Sequence, residues 1–206
     1  MKDNLEDKPF KYPTQKRTIL RFNAILDFVE QSLSEDSSKS LSIYDIAEAM
    51  ELPAPSIYRI FPNMLAIYNA LVDRYLKDDL DFYKSIEIES FGTWQVAFSE
   101  VMRLAKERYE NHPIATELML GGAIQSQVKL IYSQNNKKLA YELAQKTKPY
   151  WRSDSDLTKE FLIAITMVES IWAISYQKGK AIDDFYFQES IKATINYLEL
   201  YLNKFP

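Results

Sequence analysis

Residues 41–71 read LSIYDIAEAMELPAPSIYRIFPNMLAIYNAL: two short amphipathic runs, a proline-containing break between them, and the start of a third run. Ser42 and Asp45 have the spacing of a capping box, in which the hydroxyl accepts from a free backbone N–H and the carboxylate reaches back to the cap. A helix therefore begins at Ser42. Ile43, Ile46, Ala47 and Met50 recur at helical spacing and share one face, leaving Tyr44, Asp45 and Glu48 outside. Glu51-Leu52-Pro53 breaks this helix. Pro55 suits the first turn of the next, where a missing N–H costs nothing, so the second helix starts near Ala54. Ile57, Ile60 and Phe61 form its inner face, Ser56, Tyr58 and Arg59 its outer one, and Pro62 discourages continuation. Two short helices joined by a tight turn make a helix-turn-helix, whose second helix is the one that enters a DNA groove.

Working outward, residues 18–33 carry Phe22, Ile25, Leu26, Val29 and Leu33 on one stripe, a helix fit to cover the back of this unit. Residues 35–40 are a polar loop. A helix over 63–83, with Met64, Tyr68, Leu71, Val72 and Tyr75 inward, joins this head to the rest. After a linker at 85–92 come a helix bearing Trp94, Ala97, Phe98, Val101, Ala105 and Tyr109, ended by His112-Pro113, and a short one over 113–120 closed by Gly121-Gly122. A long helix over 124–149 turns Val128, Ile131, Leu139 and Leu143 inward. The helix over 155–178 has two apolar faces, Phe161, Ile165, Val168 and Trp172 on one and Ile163, Met167, Ile171 and Ile174 on the other. Such an arc is about twice the ~100° that covers a core on one side. The last helix, 184–204, carries Phe187, Ile191, Ile195, Leu198 and Leu202, with Tyr197 and Tyr201 beyond. The fold class is all-α: a basic arm at 1–15, a head at 16–62, and a helical body at 63–206.

The run IAEAMELPAPSIYRIFPN resembles the N-terminal signature of the TetR family of one-component transcriptional regulators. Ile46-Ala47, Leu52, Ser56, Ile57-Tyr58 and Phe61 stand in register with it. Glu51 occupies the place of the family's turn glycine, and Met64 that of a lysine expected near a DNA phosphate. The resemblance covers the head in motif and the whole chain in layout. It implies a repressor that binds a palindromic operator as a homodimer, with helices 155–178 and 184–204 pairing across a two-fold axis, and that a small hydrophobic or amphipathic effector releases. The alternative left open by Glu51 and Met64 is a dimeric helical binding or adaptor protein whose helix-turn-helix no longer binds an operator.

Composition excludes several other classes. The 206 residues contain no cysteine, so there is no disulfide framework or thiolate metal site, as suits a reducing cytoplasm. Hydrophobic residues at 47% are too abundant for a disordered chain. No apolar run of membrane-spanning length and no signal-peptide core occurs, so cytoplasmic localisation without membrane contact is expected. One histidine, His112, stands at a helix end before a proline, where it is structural. With no nucleophile-base pair, metal cluster or phosphate loop in the sequence, neither catalysis nor a cofactor is expected.

A net charge of −4 sits oddly with double-stranded DNA as partner until the cations are located. Lys8, Lys11, Lys16, Arg17 and Arg21 lie together without an intervening acid, ahead of the helix-turn-helix, and can neutralise phosphates; a solvated tail is the plainer alternative. The expected DNA face comprises Lys16, Arg17, Ser42, Tyr44, Ala54, Pro55, Ser56, Tyr58, Arg59 and Asn63. For the body, Trp94, Phe98, Met102, Tyr109, Met119, Ile131, Tyr132, Phe161, Ile165 and Trp172 supply bulk either to an ordinary core or to an effector cavity with few polar anchors. Glu169 is the sharpest polar candidate. With Thr166 and Ser170 it forms a polar stripe on the most apolar helix, facing a cavity, a dimer seam or water.

Overall fold

The computed structural model describes residues 10–35, 41–121, 126–150 and 155–202. In chain order the helices are α1 (Lys16–Glu35), α2 (Ile43–Ala49), α3 (Ala54–Tyr58), α4 (Met64–Ser85), α5 (Trp94–Asn111), α6 (Pro113–Leu120), α7 (Ser126–Thr147), α8 (Thr158–Gly179) and α9 (Asp184–Leu202). Short 3-10 turns, Ile88–Phe91 and Lys148–Tyr150, follow α4 and α7. No strand occurs among the described residues.

The local signals in the head act as their chemistry dictates. Ser42 Oγ accepts from Asp45 N at 3.2 Å and Asp45 Oδ2 accepts from Ser42 N at 2.8 Å, completing the capping box of α2. Phe22, Ile25, Leu26, Val29 and Leu33 of α1 are all buried, together with Ile43, Ile46, Ile57 and Phe61. In the turn, Glu51 takes the left-handed conformation at φ 52°, and Leu52 N reaches back to Ala47 O at 2.9 Å to end α2. The replacement of glycine leaves this turn intact, with a β-carbon held in a region that favours glycine.

Helix α4 holds the molecule together. Its first half, including Ala66, Ile67, Ala70, Leu71, Val72, Tyr75 and Leu76, completes the hydrophobic cluster of the head. Ile114 and Ala115 of α6 and Ile131 of α7 join that cluster from the body side. Polar clamps tie α4 to α1: Arg74 Nη1 donates to Asp27 Oδ1 at 2.6 Å, Arg74 Nη2 donates to Glu30, and Tyr75 Oη donates to the same carboxylate. Tyr83, near the C-terminal end of α4, belongs instead to the second cluster, built from α5, α7, α8 and α9.

One expected stripe is rotated in the structure. On α9, Ile191 and Ile195 are only half-buried, while Ser190 and Thr194 are fully buried against the neighbouring helices. Both hydroxyls are satisfied: Trp172 Nε1 donates to Ser190 Oγ at 2.9 Å, Ser190 donates to Phe187 O, and Thr194 donates to Ser190 O. Small hydrogen-bonded residues let α9 approach the Trp172 indole, and the isoleucines turn partly outward. On α8, Phe161, Ile165, Val168 and Trp172 are buried, whereas Ile163 and Ile174 stand 48% exposed. Val128 and Gly122 lie outside the residues whose side chains are described. Just before α8, Asp156 Oδ1 accepts from Thr158 N at 3.0 Å.

A left-handed backbone costs a non-glycine residue roughly 1–2 kcal/mol, which glycine's greater unfolded-state freedom partly offsets. Glu51→Gly is therefore expected to stabilise the chain by about 0.5–1 kcal/mol, seen as a higher urea midpoint with an unchanged slope.

Candidate functional site

The outer surface of α2 and α3 carries Tyr44, Pro55, Tyr58 and Arg59, all exposed. Tyr44 and Tyr58 meet edge to face with ring centroids 6.1 Å apart, one ring from each helix, so the two hydroxyl-bearing rings form a single aromatic ridge. Arg59 is the only cation between residues 41 and 73. Ser42 and Asn63 are engaged as helix caps: Ser42 Oγ donates to Asp45 at 2.7 Å, and Asn63 Oδ1 accepts from Ala66 N at 2.9 Å. Ala54 is half-buried, and the Ser56 hydroxyl is turned inward and buried. Met64, at the start of α4, packs half-buried against the head cluster.

Lys16 and Arg17 are exposed in the first turn of α1, and Lys11 is exposed just before it. Lys8 lies outside the described residues. The segment between these cations is anchored. Phe10 is 4% exposed, and its ring meets Tyr12 at 5.1 Å; Tyr12 meets Phe22 at 5.4 Å, and Phe22 stacks on Phe61 at 4.7 Å. Tyr12 also donates to Asp73 of α4, and Lys77 sits over its ring at 4.1 Å. Alternation of Phe10 and Tyr12 with Lys11 was the sequence signal for this packing.

Between α4, α5, α7 and α8 lies a cavity of about 670 Å³ of atom-free space, part of it open to solvent. Of the sequence candidates, Phe98, Met102, Tyr109, Tyr132, Ile165, Glu169 and Trp172 line it. Four do not. Trp94 is buried one turn before Phe98, and Phe161 is buried one turn before Ile165, both in the surrounding core. Ile131 faces the head cluster, because α7 presents adjacent residues to opposite sides. Met119 borders a smaller cleft beside Tyr75, Arg108 and His112. Thr166 and Ser170 are exposed and bond to their own helix backbone, so the polar stripe of α8 divides, with Glu169 alone turned to the cavity.

The polar groups of the cavity form one chain. Asn136 Nδ2 donates to both Glu169 oxygens at 2.9 and 3.1 Å, Tyr132 bonds to the same carboxylate, and Tyr109 Oη lies 3.1 Å from Tyr132 Oη. Burial raises the Glu169 carboxyl to about 7, against the opposing pull of its bonds from Tyr132 and Asn136. The residue as a whole is half-buried and lines the cavity. Asp79, the second acid of the lining, is also raised by burial, but Arg108 donates to it at 2.5 Å and to Asp78 at 2.6 Å. Sequence reading missed Asn136, Asp79 and Tyr83. A stripe begun at Tyr132 rather than Ile131 runs through Asn136, Leu139 and Leu143, all of which line the cavity.

A TetR-family transcriptional regulator from Streptomyces coelicolor, known from its crystal structure, superposes on 90% of this chain and 99% of its own, with a TM-score of 0.59 and 22% identity. The fold is that of a TetR-family regulator. At this identity the likeness is one of fold. No family model and no curated protein matches the sequence. The TetR-type fold places the helix-turn-helix at one end of α4 and the cavity at the other. Among the described residues no group of histidines and carboxylates could hold a metal ion, and no helix is long and apolar enough to cross a membrane.

A carboxyl raised by burial contributes stability that is full below its unfolded value and is lost as pH rises through its folded one. For Glu169 that window runs from 4.5 to about 7. Glu169→Gln is expected to match the wild type below the window and exceed it above, by at most about 3 kcal/mol. Urea unfolding at pH 4.5 and pH 8 measures the difference.

Proposed function

We propose that this chain is a DNA-binding transcription regulator, a repressor that reads a palindromic operator as a two-fold dimer and is released by a small effector. The supporting observation is the double role of α4. Leu76, Asp79, Leu80 and Tyr83 of this helix line the cavity, while its first half is core to the head. Its 22 residues span about 33 Å, so a tilt of a few degrees moves the head by ångströms. Two recognition helices must sit about 34–36 Å apart, or a whole-turn multiple, to read two half-sites. An effector in the cavity spoils that spacing. Operator DNA must then weaken effector binding by the same factor.

The DNA face in this reading centres on Tyr44, Pro55, Tyr58 and Arg59, flanked by Lys16 and Arg17. Arg59 reads a base edge and Tyr58 holds a phosphate. For the dimer, α8 offers Ile163 and Ile174 and α9 offers Phe185 and Leu200, all exposed and apolar, with Ile191 and Ile195 half-buried beside them. The division read from the sequence, arm 1–15, head 16–62 and body 63–206, is kept as a proposal, with Phe10 and the first half of α4 packing into the head's cluster. A cytoplasmic location follows from the role.

Two measurements test this reading. Light scattering at micromolar concentration is expected to give twice the 24.1 kDa chain mass, and a species of chain mass alone overturns the dimer. In gel shifts against DNA flanking its own gene, Arg59→Ala is expected to relax sequence preference by about 1–3 kcal/mol, whereas Tyr58→Phe weakens specific and random DNA alike. Absence of any shift favours the adaptor alternative, to which Glu51 and Met64 point.

A further inference from the structure

The two acids of the cavity are treated differently by the fold. Asp79 has its counter-ion in Arg108, which also bridges Asp78 and lies over the Phe82 ring at 4.5 Å. Glu169 has none. Its bonded neighbours are the amide of Asn136 and the hydroxyl of Tyr132, both neutral donors, and no lysine, arginine or histidine is among the residues lining the cavity. A buried carboxylate without a cation is an uncompensated charge, costly in an apolar enclosure. Around it stand the rings of Tyr83, Phe98, Tyr109, Tyr132 and Trp172. Aromatic faces attract a cation that has lost its water, and no comparable attraction exists for an anion.

We propose that the cavity takes an amphipathic organic monocation, its ammonium group paired with the Glu169 carboxylate and its apolar body lying against Phe98, Tyr109 and Trp172. This rests on the reading of the body as an effector sensor and names the chemical class of the effector. A neutral ligand leaves the carboxylate uncompensated. An anionic one adds a second negative charge within reach of both acids. A cation supplies at Glu169 what Arg108 supplies at Asp79. Pairing requires the ionised carboxylate, so binding expels its proton when the pH is below about 7. The groups that face Glu169 are Tyr132 and Asn136 from α7, Tyr109 from α5, and Tyr83 and the Arg108-paired Asp79 from α4; none of the hydroxyls ionises in this range, as burial raises Tyr83, Tyr109 and Tyr132 further.

The test is calorimetric titration of the full chain, without DNA, using three probes of one shape: 4-phenylbutylamine, 4-phenylbutan-1-ol and 4-phenylbutyrate. The amine is expected to bind about tenfold or more tightly than the alcohol at pH 8, with the butyrate weaker still. As pH falls below 7, amine affinity drops about tenfold per unit while alcohol affinity holds. In Glu169→Gln the amine loses its advantage, and unchanged alcohol affinity shows the cavity intact. Equal binding of amine and alcohol, failure of the amine to bind, or an amine preference that survives both Glu169→Gln and low pH overturns the assignment. The sensor reading fails separately. If the amine binds through Glu169 yet leaves DNA affinity unchanged, the ligand class stands and the switch does not; if DNA binds and the amine does not, the ligand class falls and the DNA-binding reading stands.

Discussion

Burial of α4 on nearly all sides is the constraint on which the molecule depends. A helix that served one core would need a single apolar stripe, but α4 buries Ala66, Ile67, Ala70, Leu71 and Val72 at successive angles around its axis, with Asn69 and Asp73 drawn in among them. Asn69 Nδ2 donates to Leu65 O at 2.8 Å while its Oδ1 is buried without a hydrogen bond, and Asp73 takes the Tyr12 hydroxyl and the Lys77 ammonium. Because α1 clamps its first half and α7 packs along it, α4 cannot move without disturbing one cluster or the other. Rigidity of that kind makes one helix serve two sites.

The cavity shows how a fold sets charge by neighbourhood rather than by residue type. Asp79 and Glu169 share one enclosure and both suffer desolvation. Arg108, reaching from α5, settles the first inside the protein. The second is held by Asn136 and Tyr132, which orient the carboxylate toward the cavity without neutralising it. Removing Arg108 would leave two unpaired acids in one space, so this arginine also keeps Glu169 distinct.

Much of this was legible in residue order because the signals were local. Ser42 and Asp45 set the cap, the Phe22–Leu33 stripe fixed the inner face of α1, and His112-Pro113 marked the joint between α5 and α6. What sequence order concealed was rotational. Ile191 and Ile195 look like a core stripe until Ser190 is seen bonded to the Trp172 indole, with Thr194 buried one turn further on. Ile131 and Tyr132 are neighbours in the chain and face different clusters, and periodicity alone could not choose which of them looks into the cavity. Phe10 and Tyr12 were hidden by the cations around them, although their rings close one end of the head.

The hydrogen bond from the Trp172 indole to Ser190 has a consequence for how the subunit surface is built. Trp172 borders the cavity with its ring and holds α9 with its nitrogen. The indole is planar and rigid, so a displacement of the ring by a cavity occupant would be delivered at the other end as a shift in where α9 lies on α8. The outward rows of those two helices, Ile163 and Ile174 on one and Ile191 and Ile195 on the other, would then change their mutual offset. Contents of the cavity would in this way alter the outer relief of α8 and α9.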